Sequence, residues 1–238
     1  MIRQAMIRNG RQPGAELVSF GRRRGRKMSP RQQSLLATGY PAVAIDPAQP
    51  APAHPAALFA SGIGKVWLEI GFGGGEHLLW QAAQNPDAGI IGCEPFQDGV
   101  VKVLDAIEQR GLANIRLYAD DGRTVLRWLP PGSIARAFVL FPDPWPKARH
   151  QKRRLLSPAT FALFARVLEP GAELRIATDI PGYARAILLA AATEPALDWI
   201  AARPADWRDR PADWPQTRYE SKALAAGRRC CYLRFRRR

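Results

Sequence analysis

Cysteine is scarce in this chain, with three residues, Cys93, Cys230 and Cys231, among 238. They form no CxxC pair and no even framework, so a disulfide-stapled small domain is excluded. Neighbouring Cys230 and Cys231 in an extended strand point to opposite faces and do not share a metal ion. This usage is expected of a reduced, cytoplasmic protein. Long apolar runs are missing too. No stretch approaches the roughly 18 residues of a membrane span, and the N-terminus has no apolar secretion core. The Arg-rich N-terminus imitates a mitochondrial transit peptide only superficially, since it contains glycines and Pro13 and lacks a sustained amphipathic period. Histidine is equally sparse, and no group of His, Cys and acids falls at ligand spacing, so no metal site is expected. His54 and His77 read as a connector residue and a helix residue without chemistry. At 47% hydrophobic and 24% charged residues the composition is that of a globular domain, not of a disordered chain.

Acids are missing from the two ends. Residues 1–31 carry nine basic side chains against Glu16 alone, and from Arg228 onward six arginines stand with no acid. These ends account for the whole formal charge of +14 and leave the span between them neutral. Such a distribution points to arms that meet a polyanion, because cations gain affinity by releasing counterions from phosphates.

The first 60 residues read as a basic arm followed by a connector rich in proline (Pro41, Pro47, Pro50, Pro52, Pro55), extended and partly flexible. From residue 61 to 238 a single domain is expected. Strands are read at 66–70, 89–94, 115–118, 137–141 and 173–177, with helices at 76–84, 97–110, about 158–168 and 183–193. Ser157 and Pro158 form a helix start. A last strand at 231–235 closes the sheet as an antiparallel C-terminal edge. Strands alternating with helices imply an α/β domain, a mainly parallel sheet with helices on both faces.

Two motifs carry chemistry. The first, Leu68-Glu69-Ile70-Gly71-Phe72-Gly73-Gly74-Gly75, is a strand running into a glycine turn and a helix, where backbone can approach a nucleotide-like ligand. Its glycines, Gly71, Gly73 and Gly75, miss the GxGxxG spacing, and Glu69 would repel a pyrophosphate, so a nicotinamide dinucleotide is excluded. Glu94 after the second strand and Asp121 after the third bring further acids to the same sheet edge. Together they suit a ligand with an amino group, a sulfonium and a free ribose, features of S-adenosylmethionine. The second motif runs from Phe141 to Arg154. Its alternating prolines stiffen a loop holding Asp143, which can accept from a guanine edge, and Trp145, which can stack on a base. Lys147, Arg149, Lys152, Arg153 and Arg154 follow, with His150 among them, as a phosphate clamp.

The chain strongly resembles the bacterial tRNA (guanine-N7-)-methyltransferase family. The resemblance rests on Glu69 to Gly75, Glu94, Ala119-Asp120-Asp121, the Phe141 to Arg154 run, Ala177-Thr178-Asp179 and Thr217-Arg218-Tyr219-Glu220, and it covers roughly Ser19 to Phe235. It implies a Rossmann-like class I methyltransferase fold, with S-adenosylmethionine as donor and tRNA as partner. The methyl would go to guanine N7, typically of guanosine 46 in the variable loop. It assigns Glu69, Glu94 and Asp121 to the donor, with Asp120 leaving that register open by one residue. It places Asp143 at the catalytic position and gives Lys147, Asp179, Thr217, Arg218, Tyr219 and Glu220 to tRNA, with 149–154 as an RNA-contacting stretch. Pro146 stands where other members often have His. A monomer or homodimer, without metal or membrane, is expected. The alternatives are a class I methyltransferase for another substrate and a non-catalytic RNA-binding module.

Overall fold

The computed structural model describes residues 21, 23–25 and 27–238; the basic arm over 1–20, with Arg22 and Arg26, lies outside them. The strands are β1 (Lys65–Ile70), β2 (Ala88–Cys93), β3 (Ile115–Tyr118), β4 (Ile134–Leu140), β5 (Leu168–Thr178), β6 (Leu197–Trp199) and β7 (Cys231–Arg237). They form one sheet in the order β3-β2-β1-β4-β5-β7-β6. The pairs β3-β2, β2-β1, β1-β4 and β4-β5 are parallel, while β7 runs antiparallel to both neighbours. β7 is the antiparallel strand expected to close the sheet as its C-terminal edge, but the three-residue β6, unread in the sequence, pairs with its outer side and forms the edge itself.

The central strands are apolar on both faces because helices cover both, and β2 is buried at every position. On one side Leu68, Val139 and Ile176 meet Phe161 and Phe164 of α6 (Pro158–Val167) and Tyr183 and Ile187 of α7 (Pro181–Ala191). The short α5 (Gly122–Trp128) adds Val125 and Leu126 to that side. On the other, Trp67, Ile90 and Phe138 meet Leu78 and Leu79 of α3 (Glu76–Gln84) and Val100 and Val103 of α4 (Gln97–Arg110). Cys230 joins this second core while Cys231 packs against the first, as opposite faces of one strand require.

The extended connector is corrected at its start. Residues 30–43 are helical: α1 (Pro30–Ser34), a π-helical turn (Leu35–Gly39) and α2 (Tyr40–Val43). Pro30 and Pro41 sit in first-turn positions, where a missing N–H costs little. Ser29 and Gln32 form a reciprocal capping box at the helix start. This segment docks on the body. Leu35 enters the core, Arg31 pairs with Asp105 (2.6 Å) and Glu108 (3.0 Å) of α4, and the Tyr40 hydroxyl accepts from the Ala119 N–H.

The basic C-terminus is corrected as well. It is strand β7 rather than an arm, and most of its arginines have intramolecular partners. Arg234 and Arg236 reach Glu173 (2.9 and 3.5 Å), Arg238 reaches Asp198 (2.7 Å), and Arg237 donates to the Ala165 carbonyl. Glu173 also accepts from Arg175 at 2.9 Å. Burial pushes the Glu173 carboxyl up, but the hydrogen bond from Arg234 and the charge of Arg175 outweigh it and bring the carboxyl down to about 2. A folded-state value below the ordinary 4.5 means the stabilisation is full above about pH 4.5 and is lost as pH falls toward 2. Glu173→Gln should therefore flatten the fall in urea midpoint over that window, and an unchanged slope would show that these pairs contribute nothing to stability.

Candidate active site

The site lies at the carboxyl ends of β1, β2, β3 and β4, where the strand order reverses and open α/β sheets bind ligands. There a cavity of about 390 Å³ opens, within the range of small-molecule sites. Its floor is the glycine turn after β1. Gly71, Gly73 and Gly75 all have positive φ (80°, 56° and 82°), a region costly for other residues. The turn is pressed against α4, since a Cβ on Gly99 would stand 2.1 Å from the Gly73 carbonyl oxygen.

Glu94 holds this turn in place. It is buried, one oxygen accepts from the Gly73 N–H (2.7 Å) and the other from the Phe96 N–H (2.9 Å). Burial raises its carboxyl above the ordinary value, the two N–H groups oppose that shift, and the charges of Asp143 and Glu69 add to it. Each oxygen retains a lone pair for a ligand hydroxyl. Asp121 also lines the cavity, caps α5 through the Arg123 N–H (3.0 Å), and is bridged by the buried Arg123 guanidinium (2.5 Å). Asp120 instead pairs with Arg23 at 2.6 Å on the outside, so Asp121 is the member of that pair facing the cavity.

The second motif forms the opposite wall. Phe141 and Trp145 both have positive φ (51° and 40°), a strained state for bulky residues that costs on the order of 1–3 kcal/mol each. Strain at both ends of Pro142-Asp143-Pro144 fixes where Asp143 points. Asp143 lines the cavity at its exposed side, and partial burial raises its carboxyl. Among the described residues its carboxylate makes no hydrogen bond or ion pair, whereas Glu69, Glu94 and Asp121 are all engaged. Trp145 meets the His150 ring edge-on (5.9 Å) and the Arg153 guanidinium (5.0 Å), and Arg153 also lines the cavity.

The basic stretch divides by role. Lys147, Arg149 and Lys152 are exposed at the rim around the 3-10 turn Ala148–Arg153. Arg154 braces the loop, donating to the Pro144 carbonyl (2.8 Å) and lying over the buried Tyr183 ring. The C-terminal group divides likewise. Tyr219 lines the cavity and is nearly half exposed, and Arg218 points toward Glu76 at 3.9 Å. Thr217 caps α9 (Arg218–Ala225) by accepting the Glu220 N–H, and the buried Glu220 accepts from the Tyr232 hydroxyl (2.7 Å) and pairs with Arg210. Asp179 is held by Arg228 at 2.6 Å.

Glu69 stands at the edge of the site. It does not line the main cavity but a small adjoining recess, which shares Gly71, Leu140, Phe141 and Tyr219 with it. One Glu69 oxygen is bonded to Nδ1 of His77 at 2.7 Å, both side chains buried. His77, read as chemically silent, is thus a partner of a site acid. The available signal was the spacing of His77, Gln81 and Asn85, three polar residues on one stripe of an otherwise core-facing helix.

A Rossmann-like sheet of this order, with a glycine turn after β1 and acids at the end of β1 and after β2 and β3, defines a class I methyltransferase. Residues 64–233 match a family model described as a putative methyltransferase. The chain is 49% identical over 229 residues to the tRNA (guanine-N(7)-)-methyltransferase of Rhodospirillum rubrum, covering 95% of this chain and 90% of that one. It is 48% identical over 218 residues to the enzyme of the same name from Nitrobacter winogradskyi, covering 92% and 85%. The chain belongs to the tRNA (guanine-N7-)-methyltransferase family. Among solved structures, TrmN from Thermus thermophilus matches in fold with a TM-score of 0.53 at 16% identity, over 87% of this chain and 48% of that one. No helix among the described residues is long and apolar enough to cross a membrane, and none of their His, Cys, Asp and Glu side chains group to hold a metal.

Proposed function

We propose that this protein transfers the methyl group of S-adenosylmethionine to N7 of guanine in tRNA, with guanosine 46 as the expected position. The observation that carries the reading is the unengaged Asp143 carboxylate, held by a strained loop at the mouth of an acid-lined cavity, in a chain of this family. The cavity fits the donor. Glu94 offers acceptors for ribose hydroxyls, Asp121 an acceptor further along the edge, and the glycine turn leaves room for close approach. The donor supplies an electrophilic methyl on a sulfonium, and the surrounding carboxylates favour a cation.

Guanine N7 carries an in-plane lone pair, so no proton has to leave before attack and no strong general base is needed. The work of the chain is alignment and exclusion of water. Asp143 accepts from the guanine edge and offsets the positive charge that grows on the ring. Trp145, backed by Arg153 and His150, offers a stacking face. Lys147, Arg149 and Lys152 hold phosphates beside it, and Arg218 and Tyr219 approach from the other side. Asp179, Thr217 and Glu220 contribute by bracing this wall.

The N-terminal arm has its own test. The described segment contacts the body: the Arg23 carbonyl accepts the Gln97 N–H and the Gly25 N–H donates to Asp98. Deleting residues 1–20 leaves those contacts and removes Arg3, Arg8 and Arg11. The slope of log affinity for tRNA against log salt should become shallower by about two to three. An unchanged slope would show that these residues are not an RNA arm.

A further inference from the structure

The recess beside the main cavity is built around a chain of four polar groups. Glu69 Oε2 meets His77 Nδ1 at 2.7 Å, His77 Nε2 meets Gln81 Nε2 at 3.1 Å, and Gln81 Nε2 donates to the Asp213 carbonyl at 2.9 Å. Asn85 donates to Gln81 Oε1 at 3.2 Å. Two independent bonds therefore fix which end of the Gln81 amide is nitrogen. That nitrogen has one proton for Asp213 and one for His77, so His77 Nε2 is an acceptor and its ring proton sits on Nδ1, donated to Glu69. The imidazole is clamped on its faces too, edge-on to Phe138 at 4.6 Å and to Trp214 at 6.4 Å.

The consequence falls on Glu69. Its second oxygen, Oε1, accepts no hydrogen bond among the described residues, and no lysine or arginine among them pairs with this buried carboxylate. A buried acid with a neutral partner and no cation is costly to maintain unless a ligand brings the charge. The recess it lines has room for about one water or one ammonium group and opens beside the main cavity.

We propose that His77 is a positioning residue: as neutral imidazole with its proton on Nδ1, it holds one oxygen of Glu69 so that the other faces the recess. There that oxygen receives the cationic amino group of the methyl donor. The inference deepens the function proposed above: it rests on S-adenosylmethionine as the donor and on Glu69 being one of its contacts, as the family resemblance implies. Gln81 sets the imidazole, and through Asp213, which pairs with Arg175 at 2.6 Å, the chain ties the donor acid to the segment leading to Thr217 and Tyr219.

The test compares His77→Phe, His77→Asn, Gln81→Met and Glu69→Ala for donor KM, kcat, calorimetric binding of S-adenosylhomocysteine and melting temperature. His77→Phe keeps the ring but loses the donor, and should raise the donor KM about tenfold with kcat within about twofold. His77→Asn places an amide N–H near the Nδ1 position and should return KM to within about threefold of the parent. Gln81→Met, which frees the imidazole to turn, should raise KM about threefold. A folded His77→Phe with unchanged donor affinity, or a His77→Asn as impaired as His77→Phe, would overturn the proposal. Should His77→Phe fail to fold, unchanged affinity in Gln81→Met would overturn it instead. Glu69→Ala separates the two levels: unchanged donor affinity there defeats the assignment of Glu69 itself, whereas a weakened Glu69→Ala beside an unaffected His77→Phe defeats only the role of His77.

Discussion

Replacement of Asp143 by alanine is expected to lower kcat for tRNA methylation by about two to three orders of magnitude, while donor affinity stays within about threefold. The asymmetry follows from what the carboxylate touches. Glu94 and Asp121 spend their oxygens on backbone N–H groups and on Arg123, so they shape the donor cavity before any ligand arrives. Asp143 spends its oxygens on nothing among the described residues, and two positive-φ residues hold it at the mouth. Its charge gains most when positive charge grows on the guanine ring. Asp143→Asn keeps the shape and an acceptor but not the charge, and should recover only part of the loss. Near-normal turnover in Asp143→Ala, measured with saturating donor and tRNA, would remove Asp143 from the chemistry.

The second large effect is expected at Glu94. Alanine there removes the acceptors for the ribose and at the same time leaves the Gly73 and Phe96 N–H groups without partners, each costing about 1–3 kcal/mol while buried. The glycine turn loses its pin to the end of β2, so donor KM should rise by about two orders of magnitude and the melting temperature should fall by several degrees. Glu94→Gln retains one acceptor oxygen and should fall between the two. Unchanged donor KM in a folded Glu94→Ala would show that the turn holds without it and that the donor lies elsewhere.

Much of this architecture was legible in the chain itself. Six of the seven strands among the described residues are legible, with β4 and β5 starting earlier than expected, because parallel strands covered on both faces appear as short continuous apolar runs, and Glu94, Asp121 and Asp143 follow from where those runs end. What escaped depends on partners far along the chain. Residues 30–43 looked too proline-rich for a helix, yet Pro30 and Pro41 fall in first-turn positions that tolerate them. The arginines of β7 counted as free charge, because Glu173 lies some sixty residues before Arg234 in sequence and only the sheet register brings them together. The partner of Glu69 was not legible, because only the fold shows that α3 turns His77 back onto β1; the polar stripe of His77, Gln81 and Asn85 marks the residues but not what they face. Thr217 and Glu220 show the reverse case, since a cap and a buried acid are placed by packing that the motif alone does not express.

The central claim, methyl transfer to guanine N7 in tRNA, is tested most directly by mapping N7-methylguanosine. Transfer RNA lacking the modification is incubated with this protein and S-adenosylmethionine, then reduced with borohydride and cleaved with aniline. The account predicts one new cleavage in the variable loop, at guanosine 46, dependent on the donor and abolished by Asp143→Ala. Methyl incorporation without aniline cleavage, or no incorporation into tRNA at all, would contradict it.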